Sequence, residues 1–194
     1  MDKTLKLKDG TDVVIRKLGN DDVDRSFDFF NELPREDRAY LRVDVTRREI
    51  VELRINAIDD SRIIRLAALV DGQIVADGAL ELEGHGWKDH VGEIRLIVAR
   101  PYQRKGLGML MARELYMLAA GQKVEEIVVK IMEPQIGALS IFERLGFKRE
   151  ALLHDYVRDI KGAKRNLILM RCDLESLWQK LDNYIANFDW QRTR

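Results

Sequence analysis

The stretch RPYQRKGLGMLM, residues 100–111, sets three cations and two glycines within nine positions and then turns apolar at helical spacing. A basic, glycine-punctuated entry into a helix suits an anion. Backbone N–H groups at a helix start lack carbonyl partners of their own, and the helix dipole adds its positive end. Gly106 and Gly108 let a diphosphate approach the main chain with no Cβ in the way, while Arg104 and Lys105 add charge at the rim. The same residues would also serve as a plain helix entry with solvated basic side chains. Two other phosphate loops do not fit. No GxxxxGK[ST] string occurs, which argues against an ATP or GTP P-loop. Gly106-Leu107-Gly108 is followed by MLM, without the third glycine of GxGxxG. What stands is Gln103-Arg104-Lys105-Gly106-Leu107-Gly108 between a strand and a helix.

Such a loop needs a strand before it and a helix after it, and the pattern supplies both. VGEIRLIVA reads as the strand, and Leu107, Met111, Leu115 and Leu118 mark one helix face that ends at Gly121. Upstream, TLKLK and TDVVIRKL are short strands around an Asp9-Gly10 turn. Asn20 or Asp21 is expected to cap a helix carrying Val23, Phe27 and Phe30 that ends before Pro34. Thr46 with Glu49 forms a capping box for a second helix, with Ile50, Leu53, Ala57 and Ile58 on one face. RIIRLAALV and QIVADGALELE flank an Asp71-Gly72 hairpin turn.

Downstream come a strand (VEEIVVKI), a short helix closed by Gly146 (QIGALSIFERLG), and two strands, FKREALLHDYVRD and AKRNLILMRCD. The tail helix aligns Leu174, Leu177, Trp178, Leu181, Tyr184, Ile185 and Phe188. That stripe is expected to pack on its own domain, with a homodimer contact as the second reading. The series gives an α/β fold with a mixed sheet, parallel at its centre and flanked by helices. One domain is expected over 1–194, with residues 174–190 as an appended amphipathic helix.

Composition narrows the function classes. At 194 residues, with 46% apolar and 34% charged residues, the chain can bury a proper core. Its 33 cations balance 33 anions, so neither nucleic acid nor a membrane surface is an expected partner. A single cysteine, Cys172, fits a reducing compartment and a small core residue better than a thiol nucleophile. MDKTLKLKDG has no apolar targeting segment and no run approaches the roughly 18 residues of a membrane helix, so a cytoplasmic place is expected. His85, His90 and His154 lack ligand spacing, and no metal is expected.

VARPYQRKGLG resembles the acyl-CoA loop of the GNAT superfamily of N-acetyltransferases, [RQ]-x-x-G-x-[GA] after a strand ending in Val-x-x-x-[YF]. GALSIFERLGFKRE is similar to that family's late motif, Ala-x-x-x-[YF]-x-x-x-Gly-Phe, at Ala138, Phe142, Gly146 and Phe147. The two motifs stand in the right order at the right separation. HDYVRDIKGAKRNLILM looks like the closing hairpin of many members. The likeness is good over about residues 63–172, weaker over 1–60 and absent in the tail. It implies acetyl-CoA as co-substrate, with Gln103, Arg104, Lys105, Gly106, Leu107 and Gly108 holding the pyrophosphate. It also implies a pantetheine arm along the backbone of Leu96, Ile97 and Val98, where an N–H would polarise the thioester carbonyl. Gln135 stands where the family often has an Asn on the pantetheine arm.

Acetyl transfer needs a neutral amine, and a lysine-like amine has a pKa of about 10.4, so a base must take its proton. The resemblance points to Glu93, on the strand before the loop; pairing with Arg95 on the same face is the other reading. Glu81 and Glu83 are further carboxylates of the same type, read first as solvated strand residues. The family's usual tyrosine near the CoA sulfur is replaced here by Phe142, which cannot donate a proton. Backbone dipoles and water, or Tyr156, would then receive the thiolate's charge; a packed aromatic is the alternative role for Tyr156. His85 and His90 lie in a loop that substrate could pass, and His154 is a second-line base or a surface residue.

The expected function is direct transfer of an acetyl group from acetyl-CoA to a primary amine, on a small molecule or a protein. A catalytically weak or inactive acyl-CoA sensor is the alternative. A nucleotide-binding regulator ranks third. The acid-rich stretch LGNDDVDRSFDFFNELPRED would favour a cationic acceptor unless it is simply a solvated face.

Overall fold

Alternating apolar and polar residues shape the first strands. The computed structural model describes residues 2–56, 62–82, 86–159 and 161–190, the last seven by backbone alone. Strands β1 (Lys3–Lys6) and β2 (Asp12–Lys17) pair antiparallel, with Lys6 opposite Asp12. Val13 and Ile15 of β2 are buried. A helical turn at Asn20–Asp22 leads into α1 (Val23–Glu32), where Phe29 and Phe30 are buried and Val23 and Phe27 pack beside them.

Neither Asn20 nor Asp21 provides the expected cap. Asp22 does the work at this corner, accepting the Gly19 N–H at 2.9 Å. Arg16 grips both its oxygens, at 2.6 and 2.7 Å, and Arg25 adds a contact at 3.0 Å. After Pro34 comes the single turn α2 (Arg35–Arg38), and then α3 (Arg48–Asn56).

The capping box expected for α3 does not form, because Asp44 claims both the hydroxyl and the N–H of Thr46, while Glu49 pairs with Arg47. Its apolar face also differs from the expected one. Val51 and Ile55, four apart, are buried, and Leu53, turned away from both, is 64% exposed. Ala57 and Ile58 lie outside the described residues.

The hairpin at Asp71-Gly72 is as read. β3 (Ile63–Val70) and β4 (Gln73–Leu82) pair antiparallel with Val70 opposite Gln73, and Asp71 and Gly72 take φ of 49° and 79°. Two left-handed residues match the turn to the strand twist. The remaining elements are β5 (Val91–Val98), α4 (Leu107–Ala120), β6 (Glu126–Met132), α5 (Ile136–Arg144), β7 (Lys148–Arg158), β8 (Lys164–Asp173) and α6 (Leu174–Trp190).

The chain divides into two compact units, Met1–Leu82 with Ile94–Met111 and Glu83–Glu93 with Ala112–Arg194. In the first, strand order is β1-β2-β3-β4-β5, with antiparallel ladders from β1 through β4. Its apolar cluster joins α1 and α3 to Ala67 and Leu69 of β3 and Ile74 of β4. In the second the order is β5-β6-β8-β7.

The sheet is α/β and mixed, but mostly antiparallel, which corrects the expectation of a parallel centre. The β5·β6 ladder is parallel and covers only Val91–Glu93 opposite Glu126–Val128. β8 then takes the place beside β6, antiparallel, and leaves β7 at the edge. Side-chain patterning explains the order. Ile168, Met170 and Cys172 give β8 a buried face, whereas β7 is exposed at most positions and suits an edge.

In the same unit Leu177 and Leu181 of α6 are buried and Trp178 stacks on Tyr116 at 5.0 Å. The side chains of Tyr184, Ile185 and Phe188 lie outside the described residues. No helix among the described residues is long and apolar enough to cross a membrane.

Cys172 is a core residue as expected, and burial pushes its thiol up to about 11. A thiolate is the reactive form, so the native protein should resist a thiol reagent that labels one sulfur per chain in denaturant. Labelling at equal rates in both states would show that the thiol is not enclosed.

Candidate functional site

The site is assembled from the end of β5 forward. Ala99 donates its N–H to Val75 O at 2.9 Å, which pins the strand's exit beside β4. Arg100–Tyr102 form a single helical turn, and the Arg100 guanidinium grips Asp37 of α2 with two bonds of 2.9 Å. Gln103 returns to extended backbone. Its N–H closes on Arg100 O at 3.2 Å, and its side-chain amide donates to Val98 O at 2.9 Å. Gln103 therefore ties the loop to the strand, and the open donors begin one residue later.

Arg104 has φ +59° and Gly106 φ +91°, so two left-handed residues fall within three. Such alternation curls a backbone so that successive N–H groups converge, forming a nest for an anion. The Gly106 carbonyl accepts from Met109 and Leu110, both at 3.1 Å, and starts α4. Among the described residues no backbone carbonyl accepts from the N–H groups of residues 104–108. Leu107 is fully buried beneath the loop and anchors it. At Gly108 an added Cβ would meet nothing nearer than Val98 Cγ2 at 4.0 Å. Packing within the chain does not require glycine there, whereas a ligand lying against the backbone would.

One feature of this loop had no sequence signal. The β1–β2 turn holds it from the side: Lys8 donates to Lys105 O at 3.0 Å, and the Lys105 ammonium meets the Asp9 carboxylate at 2.9 Å. That bond is the main reason the Asp9 carboxyl falls to about 2, with Thr11 assisting. Lys105 also lies over the Tyr102 ring, 5.4 Å from its centroid. Of the two rim cations, Arg104 is the exposed one. Leu96, Ile97 and Val98 are half-buried, past the residues of β5 that pair with β6.

Of the other candidates, Glu81 belongs to the first unit, and Glu93, Gln135, Phe142 and Tyr156 to the second. Lys130 holds Glu93 at 2.6 Å across the β5·β6 ladder, and Arg95 bonds Glu81. Glu81 is therefore not a freely solvated strand residue. Gln135 precedes α5, and its amide oxygen accepts the Met132 N–H at 3.0 Å, which leaves the NH₂ as the outward donor. Phe142 meets Phe147 edge-on at 5.1 Å and is half-buried.

Tyr156 is not a packed aromatic: it is 66% exposed, in an irregular stretch where β7 bulges between Leu153 and Val157. Asp155, at φ +51°, donates its N–H there to Asn166 Oδ1. His154 is exposed, as expected for a surface strand, and His90 is half-buried beside Asp89. Glu83 and His85 lie outside the described residues. Among the described residues, no three His, Cys, Asp or Glu side chains are grouped to hold a metal.

A nest of N–H donors, a Gly108 whose absent Cβ would meet nothing nearer than 4.0 Å, and an exposed arginine fit a diphosphate, the part of coenzyme A that such a loop would hold. Comparisons with known proteins agree on the fold. An RimJ of Mycobacterium smegmatis, solved in complex with CoA-disulfide, superposes with a TM-score of 0.76 at 16% identity, covering 96% of this chain and 93% of that one. The ribosomal-protein-S5-alanine acetyltransferase of Vibrio fischeri gives 0.74 at 13% identity, over 89% and 97%. An acetyltransferase of the GNAT family from Streptococcus pneumoniae gives 0.70 at 19%, over 83% and 99%. The profile of the acetyltransferase (GNAT) family matches residues 26–147, which span the loop and the late Gly146-Phe147 motif. The chain belongs to the GNAT family of acetyltransferases.

Proposed function

We propose that the protein is an acetyl-CoA-dependent N-acetyltransferase that acylates a primary amine by direct attack in a ternary complex. The donor nest at residues 104–108, where α4 begins, carries this reading. Arg104, Lys105, Gly106, Leu107 and Gly108 would hold the pyrophosphate, with Gln103 positioning the loop from Val98 O. The strand edge at Leu96–Val98 would align the pantetheine arm, and the NH₂ of Gln135 would donate to its amides. Acetyl-CoA supplies an already activated thioester, so no covalent enzyme intermediate is needed.

The chain's own task is to take a proton from the amine and stabilise charge at the carbonyl oxygen. A backbone N–H near Leu96 serves the second role. Glu93 is the proposed base, directly or through a water, once the acceptor competes with Lys130 for its carboxylate. Tyr156 is exposed and able to donate a proton. Similar structures, among them a ribosomal-protein-alanine N-acetyltransferase of Brucella melitensis, favour an amine over a hydroxyl acceptor.

A thermal-shift titration with acetyl-CoA, CoA, ATP and NAD tests the reading. A ligand at 100 times its dissociation constant stabilises the native state by about 2.7 kcal/mol, which a melting curve resolves. Acetyl-CoA and CoA are expected to raise the midpoint, and an amine panel with thiol detection should then show turnover that Glu93→Gln lowers. A shift with ATP or NAD alone would overturn it. Phe142 favours a second reading, an acyl-CoA sensor without turnover, which predicts the same CoA shift with no acetylation of any amine.

A further inference from the structure

A charged cluster on the inner face of the first unit is not part of the anion nest. Arg65 of β3 stands opposite Ala79 of β4, so Arg65 shares one face of the sheet with Asp77 and Glu81. Ala67, two residues on from Arg65, belongs to the apolar cluster, which places the charges at its margin. Both carboxylates are already committed. Asp77 takes Arg54 of α3 at 3.0 Å, and Arg54 lies over the Phe30 ring at 4.9 Å. Glu81 takes Arg95 of β5.

Arg65 is 5% exposed, its Nε is enclosed without a hydrogen-bond partner, and no carboxylate among the described residues pairs with it. Burial and the nearby Arg54 push its pKa down, while Asp77 and Glu81 oppose them. A guanidinium in this position is destabilising until an anion completes its hydrogen bonds.

Beside Arg65, the side chains of Arg95 and Glu81 are partly exposed. Leu96, the residue after Arg95, is where the donor's acyl end is proposed to lie. The guanidinium fork matches a carboxylate, two N–H bonds to two oxygens. With Asp77 and Glu81 close by, a singly charged carboxylate also suits Arg65 better than a phosphate dianion. In the acid-rich stretch around α1, Asp22, Asp24 and Asp37 each pair with an arginine, which takes up part of the negative charge that would favour a cationic acceptor.

Resting on the acetyltransferase reading above, we propose that Arg65 binds a carboxylate of the amine acceptor, so that the acceptors are amines that also carry a carboxylate. The source is either the α-carboxylate of a free amino acid or an acidic side chain close to a polypeptide N-terminus.

The test uses the full chain saturated with CoA. Melting shifts are measured with glycine, L-alanine and L-glutamate against their amides, and with peptides beginning Ala-Asp against Ala-Asn; acetylation rates of the same amines follow. At least tenfold tighter binding of a carboxylate than of its amide is expected, and Arg65→Met should abolish that preference without lowering the midpoint of the ligand-free protein. If Arg65→Met does not fold, Arg65→Lys keeps the charge, loses the fork and should bind the acids at least tenfold more weakly. A preference among free amino acids identifies the α-carboxylate, and one confined to peptides identifies the side chain. No carboxylate preference in the wild type, or one unchanged in the variant, overturns the proposal. Failure of CoA itself to shift the midpoint would instead sink the acetyltransferase reading.

Discussion

Gly106→Val should abolish coenzyme A binding while leaving the fold in place. At φ +91° glycine has little strain, whereas a β-branched residue there is a severe outlier. An L-residue forced into the left-handed region costs about 1–2 kcal/mol, and valine more, so the backbone would relax out of it. Relaxation moves the N–H groups of residues 104–108 off a common focus, and a nest that does not converge holds no diphosphate. We expect the CoA-induced thermal shift to vanish, corresponding to a loss of 100-fold or more in affinity.

Gly162→Val is the control. Gly162 has φ +80° in the β7–β8 turn with nothing within 4 Å of its absent Cβ. That substitution carries a similar strain and should keep the CoA shift. Affinity retained within threefold in Gly106→Val would refute the assignment of the loop.

The second large effect is on stability. Asp22 is 2% exposed and accepts from the Arg16 guanidinium, Arg25 and the Gly19 N–H. Asp22→Asn leaves the half-buried Arg16 without its counter-charge, and breaking such a pair costs about 3 kcal/mol. For a domain of this size that lowers Tm by about 6–12 °C. Replacing both partners, as in Arg16→Met with Asp22→Leu, should recover part of the loss, because no charge is then left uncompensated.

The same bonds set an acid limit. Arg16, ahead of the opposing effect of burial, brings the Asp22 carboxyl from 3.8 down to about 2. Its stabilisation is therefore complete above pH 3.8 and drains away as pH falls towards 2. Urea melts of wild type and Asp22→Asn across pH 2–7 should converge at the acid end. Parallel curves down to pH 2 would mean that the carboxylate contributes nothing beyond its shape.

Much of this was legible along the chain. Turn chemistry at Asp71-Gly72, the helix face through Leu107, Met111 and Leu115, and the glycines of the loop are local signals, and each stands where its residues put it. The capping box at Thr46 failed because a nearer acceptor, Asp44, competes for the same groups, and spacing alone does not weigh rival hydrogen bonds. Glu93 and Arg95 share a strand face, yet each found its partner on a neighbouring strand. Cross-strand carboxylates and ammoniums approach more closely than residues two apart on one strand.

By itself the sequence determined the elements, the anion-ready loop and the family, because periodicity, turn residues and glycine spacing act over a few residues at a time. Tertiary structure alone decided three things. It placed β8 rather than β7 beside β6, since burial of Ile168, Met170 and Cys172 outweighs chain order. It set the β1–β2 turn against Lys105, a contact between residues nearly a hundred positions apart. And it enclosed Arg65 beside two carboxylates committed elsewhere, because desolvation and charge pairing depend on every group that packs nearby, whatever its place in the chain.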